Sequence, residues 1–277
     1  MGRIYLDNNP YETQLQKKWQ YLVEPSEKPD EKNTLKYNEL EDLKVADLAC
    51  GSGHILNECF DLLYDLYIAE GYGRGEAVEN IFSHNLTGID LDTRAKQLSQ
   101  FALLLKACQK DAAFADAHCM PNVLTMPVCD SYTIKDTLGH FVCAYQLDWA
   151  NVDRKELEDA FDLMKDADSL GSIMRFEISQ NTREHLVEAV NAYDAEPKYA
   201  EAFKNLTDGF RLILALTEHY HALVMNPPYM GGGNMNGVLS KYVKDNYKNG
   251  KADLATVFVE MMGQRTSANG SYAFIIP

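Results

Sequence analysis

The chain has 277 residues, 46% of them apolar and 24% charged, a globular balance that excludes disordered, collagenous and disulfide-scaffold proteins. Acids outnumber bases 41 to 26, and the resulting net charge of −15 repels polyanions at long range, so a stand-alone nucleic-acid binder is not expected. No run of eighteen apolar residues exists and Met1 to Asp7 carry no apolar signal region, so the expectation is a cytoplasmic protein without a membrane segment.

In chain order, residues 1–42 are polar and broken by Pro10, Pro25 and Pro29; they read as an arm with one short helix near 14–23, then a loop. Val45 to Ala49 is a short apolar run that ends in Cys-Gly-Ser-Gly, a buried strand entering a tight turn. From His54 to Glu70 apolar residues recur at helical spacing, and Gly71, Gly73 and Gly75 end that helix. Leu86 to Asp90 reads as a second strand. Thr93 to Gln109 reads as a second amphipathic helix, with Leu98, Phe101, Ala102, Leu105 and Cys108 expected to face inward. Residues 122–128 give a third strand. Strand and helix alternate, the pattern of an α/β fold with a parallel sheet.

From about Ala150 to Glu218 the pattern is helical and charged, without a convincing strand, and reads as an inserted helical segment. Strand character resumes at His221 to Met225; Lys251 to Gln264 is a helix and Ser271 to Ile276 a last strand. The expected organisation is an arm and loop over 1–42, one half of the core over 43–149, a helical insertion over 150–218 and the other half over 219–277. The chain stops at Pro277, directly after an apolar run, so a core belonging to a longer chain is expected. Cys50, Cys59, Cys108, Cys119, Cys129 and Cys143 form no C-x-x-C pair and read mostly as reduced core thiols. His219 and His221 have no further ligands nearby, and no metal site is expected.

Two motifs carry chemistry. Asp47-Leu-Ala-Cys-Gly51-Ser-Gly53-His54 joins a strand to a helix, where glycines let backbone approach a ligand and the helix start offers unpaired N–H groups. Asp90 ends the next strand, where a carboxylate can take both hydroxyls of a ribose; a helix N-cap is the competing reading. A dinucleotide fingerprint needs a third glycine where Leu56 stands, so NAD is disfavoured and another adenosyl cofactor stays open. Asn226-Pro227-Pro228-Tyr229 follows the strand ending at Met225. Its prolines lock a rigid turn, while the Asn226 side-chain carbonyl and the Pro227 backbone carbonyl offer two fixed acceptors. With the Tyr229 ring alongside, this set suits a planar aromatic amine or an amide nitrogen. Gly231 to Gly237 reads as a mobile loop, either closing over a target base or serving as a plain linker.

The segments Asp47-Leu-Ala-Cys-Gly-Ser-Gly53, Thr87-Gly-Ile-Asp90 and Asn226-Pro-Pro-Tyr229 resemble, in this order, S-adenosylmethionine-dependent DNA adenine-N6 methyltransferases. More narrowly, Gly-Ser-Gly-His54, Phe60-Asp-Leu-Leu-Tyr-Asp-Leu-Tyr67, Lys251-Ala-Asp-Leu-Ala-Thr-Val-Phe258 and Tyr272-Ala-Phe-Ile-Ile-Pro277 are similar to the PglX-type methyltransferases of BREX phage-defence systems. Type IIG restriction-modification enzymes are close relatives. The resemblance implies a class I methyltransferase fold, Rossmann-like, with a mostly parallel sheet flanked by helices, a helical insertion and its C-terminal strands missing. It implies a cofactor-binding half over 43–149 and a target-base half over 219–277.

By the same resemblance, Asp47, Ala49, Cys50, Gly51, Ser52 and Gly53 would bind or support the methionine and ribose part of S-adenosylmethionine. Asp90 would take the ribose hydroxyls and Asp130 the cofactor adenine. Asn226, Pro227 and Tyr229 would hold the target adenine for direct displacement from sulfonium to N6. DNA is the implied partner, mainly through regions absent from this chain, and proteins of a defence system are further implied partners. Residues 1–44 are shorter than, and unlike, the cofactor-capping segment of that family. A protein glutamine-N5 methyltransferase is the alternative, although about 170 residues between Gly53 and Asn226 exceed what its compact core needs. A non-catalytic scaffold is the third reading.

Overall fold

The computed structural model describes residues 1–12, 14–22, 34–116, 119–128, 131–196 and 200–275. Four largely apolar runs become strands β1 (Val45–Asp47), β2 (Leu86–Asp90), β3 (Val123–Thr125) and β4 (Tyr220–Met225), while β5 (Thr266–Phe274) begins in a polar, mostly exposed stretch five residues before the expected Ser271. They form one sheet in the order β3-β2-β1-β4-β5 with every neighbouring pair parallel. The register sets Val45 against both Leu86 and Ala222, and Leu223 against Tyr272. Parallel neighbours need crossover connections, so helices cover both faces and the inner strands are buried on each side.

The first face carries α1 (Gly2–Asn8), α2 (Gln14–Lys18), α3 (His54–Ala69), α4 (Arg74–Asn80) and α5 (Thr93–Lys110). Its core joins Val45, Leu86, Val123 and Ala222 of the sheet to Leu56, Phe60, Leu63 and Leu103. The second face carries α6 (Ser131–Ala144), α7 (Arg154–Met164), α8 (Ala167–Leu170), α9 (Gln180–Ala195), α10 (Ala200–Leu216), α11 (Gly237–Asn246) and α12 (Leu254–Arg265). There Ala46, Leu48, Ile89, Leu223 and Met225 pack against Phe141, Phe161, Phe210 and Phe258. The described residues between β3 and β4 form α6 to α10 and no strand.

Four further expectations change. The arm has a helix at Gly2–Asn8 that buries Ile4, Tyr5 and Leu6; two turns are too short to display a helical period in sequence. Helix α5 turns its other side inward, burying Ser99, Leu103 and Ala107, while Leu98, Phe101 and Leu105 are about half exposed. The glycine turn approaches α5 so closely that a Cβ on Gly53 would lie 2.3 Å from Ser99 Oγ, which admits only a small side chain on the inner face. Ion pairs from Lys106 and Lys110 to Asp61 of α3 hold the same rotation.

The loop after Tyr229 is not a free flap. Gly231 bridges Asp253, the Gly232 N–H donates to Ala252 O at 2.8 Å, and Asn236 caps α11 through the Leu239 N–H at 2.8 Å. Among the described cysteines, all free, only Cys50 and Cys59 are buried; Cys143 is exposed.

Candidate active site

Strand order reverses between β1 and β4, and in open α/β sheets ligands bind outside the carboxyl ends of strands at such a switch point. Residues just past the strand ends line one cavity there: Leu48 and Ala49 after β1, Asp90 and Leu91 at β2, Met126 after β3, and Asn226 and Pro228 after β4. Its volume is about 250 Å³. That falls below the roughly 300–1,000 Å³ of ordinary small-molecule sites, so a nucleoside-sized ligand must extend out of it. A larger cavity of about 810 Å³ lies in the helical layer beside Leu138, Trp149 and Phe161, and none of the sequence-predicted site residues lines it.

The glycine turn is built by two left-handed residues, Gly51 at φ 52° and Gly53 at φ 82°, the latter preceding the first residue of α3. A Cβ on Gly51 would meet nothing within 4 Å, so this part of the turn is open for a ligand. The Gly51 N–H donates to Asp90 Oδ2 at 2.7 Å and the Asp92 N–H to Asp90 Oδ1 at 2.9 Å, which fixes the Asp90 carboxylate at the strand end. Asp92, not Asp90, caps α5, taking the Arg94 N–H at 2.8 Å.

Asp47 is 1% exposed and accepts the Ala49 N–H at 3.0 Å. Burial pushes its carboxyl up to about 7, the Ala49 N–H pulls against that rise, and the nearby Asp90 charge adds to it. Among the described residues no base pairs with it.

Cys50 does not line the cavity. Its side chain is buried against Gly88, where a Cβ would come 3.3 Å from the sulfur, and its N–H donates to Ile89 O at 2.9 Å. Burial raises its thiol above the ordinary range. Ser52 Oγ pairs with His54 Nδ1 at 3.0 Å on the exposed side of the turn. Asp130 lies outside the described residues.

Past β4, Asn226 and Pro228 are exposed and Pro227 is buried beneath them. Tyr229 is half exposed, and its hydroxyl lies 2.7 Å from Asn226 Oδ1 and 2.9 Å from the Ile275 carbonyl, with one proton to give. The cavity thus collects Ala49, Asp90 and Asn226 directly. Gly51 joins through its bond to Asp90 and Tyr229 through its bond to Asn226, while Asp47, Cys50, Ser52, Gly53 and Pro227 do not line it. Sequence reasoning missed Leu91, Met126 and Ser169 to Ser172. Leu91 was within reach, since it directly follows Asp90; the serine segment has no local signal.

A family model described as Eco57I restriction-modification methylase matches residues 84–277. The chain belongs to that family. Two similar relatives are an adenine-specific methyltransferase PglX of Lacticaseibacillus casei (strain Zhang) and an adenine-specific methyltransferase BrxX of Escherichia coli O9:H4 (strain HS). The first is 35% identical over 269 residues, covering 93% of this chain and 22% of the relative. The second is 30% identical over 296 residues, covering 98% of this chain and 24% of the relative. The chain therefore spans about a quarter of those relatives' length.

An Eco57I-type methylase needs a methyl donor, and the residues present fit a nucleoside sulfonium with an amino-acid tail. A fixed strand-end carboxylate suits a diol and the apolar walls Leu91, Met126 and Phe258 suit a flat ring; the buried Asp47 carboxylate, with no base on it among the described residues, suits an ammonium although it does not line the cavity.

Proposed function

We propose that this chain is the catalytic part of a DNA methyltransferase that transfers methyl from S-adenosylmethionine to adenine N6 in a phage-defence or restriction-modification system. The observation that carries the reading is the sharing of one cavity by Asp90 and Asn226, two residues that belong to separate motifs 136 positions apart. Bound S-adenosylmethionine supplies an electrophilic methyl group. The open turn at Gly51 receives the donor's tail with Asp47 beneath it, and Asp90 orients the ribose.

Asn226 Oδ1 and the Pro227 carbonyl accept the two N–H bonds of the target amine, drawing its nitrogen away from conjugation with the ring. Tyr229 stacks on the base, which has to leave the duplex to arrive there. The two carbonyls are neutral acceptors, so they orient the amine without taking its proton, which passes to water. With −15 net charge the chain supplies little attraction for duplex DNA, and the further length seen in the relatives is where the basic contacts would lie.

The test is transfer of labelled methyl from S-adenosylmethionine to duplex DNA and, in parallel, to a glutamine-containing release-factor-type protein. Asn226→Ala is expected to lower kcat on DNA by about 10²–10³ with donor affinity within about twofold. Labelling of the protein and not of DNA would replace this reading with the amide one.

A further inference from the structure

The donor site has a wall that no motif marks. Ser169 to Ser172, where α8 ends and a 3-10 turn follows, line the same cavity as Asp90 and Asn226. These residues belong to the helical stretch between β3 and β4, yet they meet the strand ends directly. Ser172 Oγ donates to the Leu48 carbonyl, in the turn that leads from β1 into the glycines. Gly171 sits at φ 56° so near Leu91 that a Cβ would come 3.2 Å from Leu91 Cγ.

Four successive residues are then gripped from the other half of the chain. The Arg265 guanidinium donates to Ser172 O at 2.7 Å and to Met174 O, the Tyr247 hydroxyl donates to Ile173 O at 2.6 Å, and the Arg175 N–H donates to the Tyr242 hydroxyl at 2.8 Å. Tyr242 lies on α11, Tyr247 just after it, and Arg265 closes α12. Asn236 adds a bond to Ser169 Oγ at 3.1 Å.

Arg265 is 6% exposed and, among the described residues, has no carboxylate partner. Burying an unpaired guanidinium costs free energy that an apolar residue of similar length would not. What an apolar residue cannot do is hold two carbonyls two residues apart with one rigid fork.

We propose that Arg265 is a positioning residue for the methyl-donor site, fixing the Ser172 end of the Ser169 to Ser172 wall against which the donor's nucleoside packs. This rests on the donor reading above. The wall comes from outside both motifs, and the arginine that sets it comes from the helix that follows the Asn-Pro-Pro-Tyr turn.

The experiment measures S-adenosylmethionine affinity by calorimetry, donor KM and kcat, and urea unfolding, in the wild type, Arg265→Met, Arg265→Lys and Ser172→Ala. Arg265→Met is expected to raise the donor Kd and KM at least tenfold while kcat at saturating donor stays within threefold. Arg265→Lys reaches one carbonyl and gives an intermediate Kd. Ser172→Ala leaves the arginine's grip intact but frees the wall from Leu48, raising Kd about threefold or more. Should Arg265→Met fail to fold, Ser172→Ala and Arg265→Lys decide. Donor Kd within twofold of wild type in every folded variant, whatever the loss in urea resistance, overturns the inference and leaves the wall purely structural. A wild type that does not bind S-adenosylmethionine overturns it by a different route, through the donor reading itself.

Discussion

Replacing Asp47 by Asn isolates the buried carboxyl beneath the glycine turn. The amide oxygen keeps an acceptor for the Ala49 N–H and removes the charge. A carboxyl moved from 3.8 to about 7 by burial leaves the folded state about 4 kcal/mol less stable when ionised. Because the folded value is raised, the carboxyl's favourable contribution is fully present below pH 3.8, where it is protonated in both states. It is lost as pH climbs to about 7, where the folded carboxyl ionises. Asp47→Asn has no such loss.

The variant's stability advantage over wild type should therefore grow between pH 4 and pH 8 by about 1–4 kcal/mol, the lower figure allowing for relaxation and an effective dielectric well above that of dry protein. Urea unfolding of both proteins at pH 4, 6 and 8 measures it. The donor makes a second handle, since an ammonium beside Asp47 favours the ionised form. The ionised fraction rises about eightfold from pH 6 to pH 7.5 for a group at about 7, and wild-type donor affinity should rise by a similar factor. A stability difference that stays flat with pH, together with equal pH dependence of donor binding in the two proteins, would refute the argument that this carboxylate is buried in wait for a cation.

Gly53→Ala forces a left-handed alanine whose Cβ would lie 2.3 Å from Ser99 Oγ, and should cost about 2–4 kcal/mol in thermal or urea unfolding; Ser99→Gly in the same chain recovers part of it. Phe101→Ser on α5 should change stability by less than about 0.5 kcal/mol, while Leu103→Ala, two positions on and fully buried, should cost about 2–5 kcal/mol by the same measurement. Duplex binding by the chain alone should be weak at about 0.15 M salt in a fluorescence-anisotropy titration, and tight, steeply salt-dependent binding would contradict the charge argument.

Particular elements show where sequence reasoning reached and where it stopped. Leu86 to Asp90 was legible to the residue, because an apolar run carrying one glycine and ending in an acid has few other uses. The helix from His54 was legible because its apolar spacing is strong and the glycine turn marks its start. Helix α5 was legible as a helix but not in its rotation. Its apolar residues populate two sides, and Ser99 faces inward because Gly53 of a distant turn meets it there, while Lys106 and Lys110 on the same helix pair with Asp61 of α3. The glycine run after Tyr229 carried no sign of its anchors, which come from Ala252 and Asp253.

The amino-acid string alone determined the chemistry available: glycines where backbone must come close, an acid at a strand end, and an asparagine held by two prolines. These are local properties, set by side-chain type and the few residues on either side. Tertiary structure alone decided that Asp90 and Asn226 share a cavity, that Ser169 to Ser172 close it, and that Asp47 is deprived of water. Each of those depends on segments far apart in the chain meeting in space, and desolvation in particular is a sum over every neighbour that displaces water, which no short stretch of sequence records.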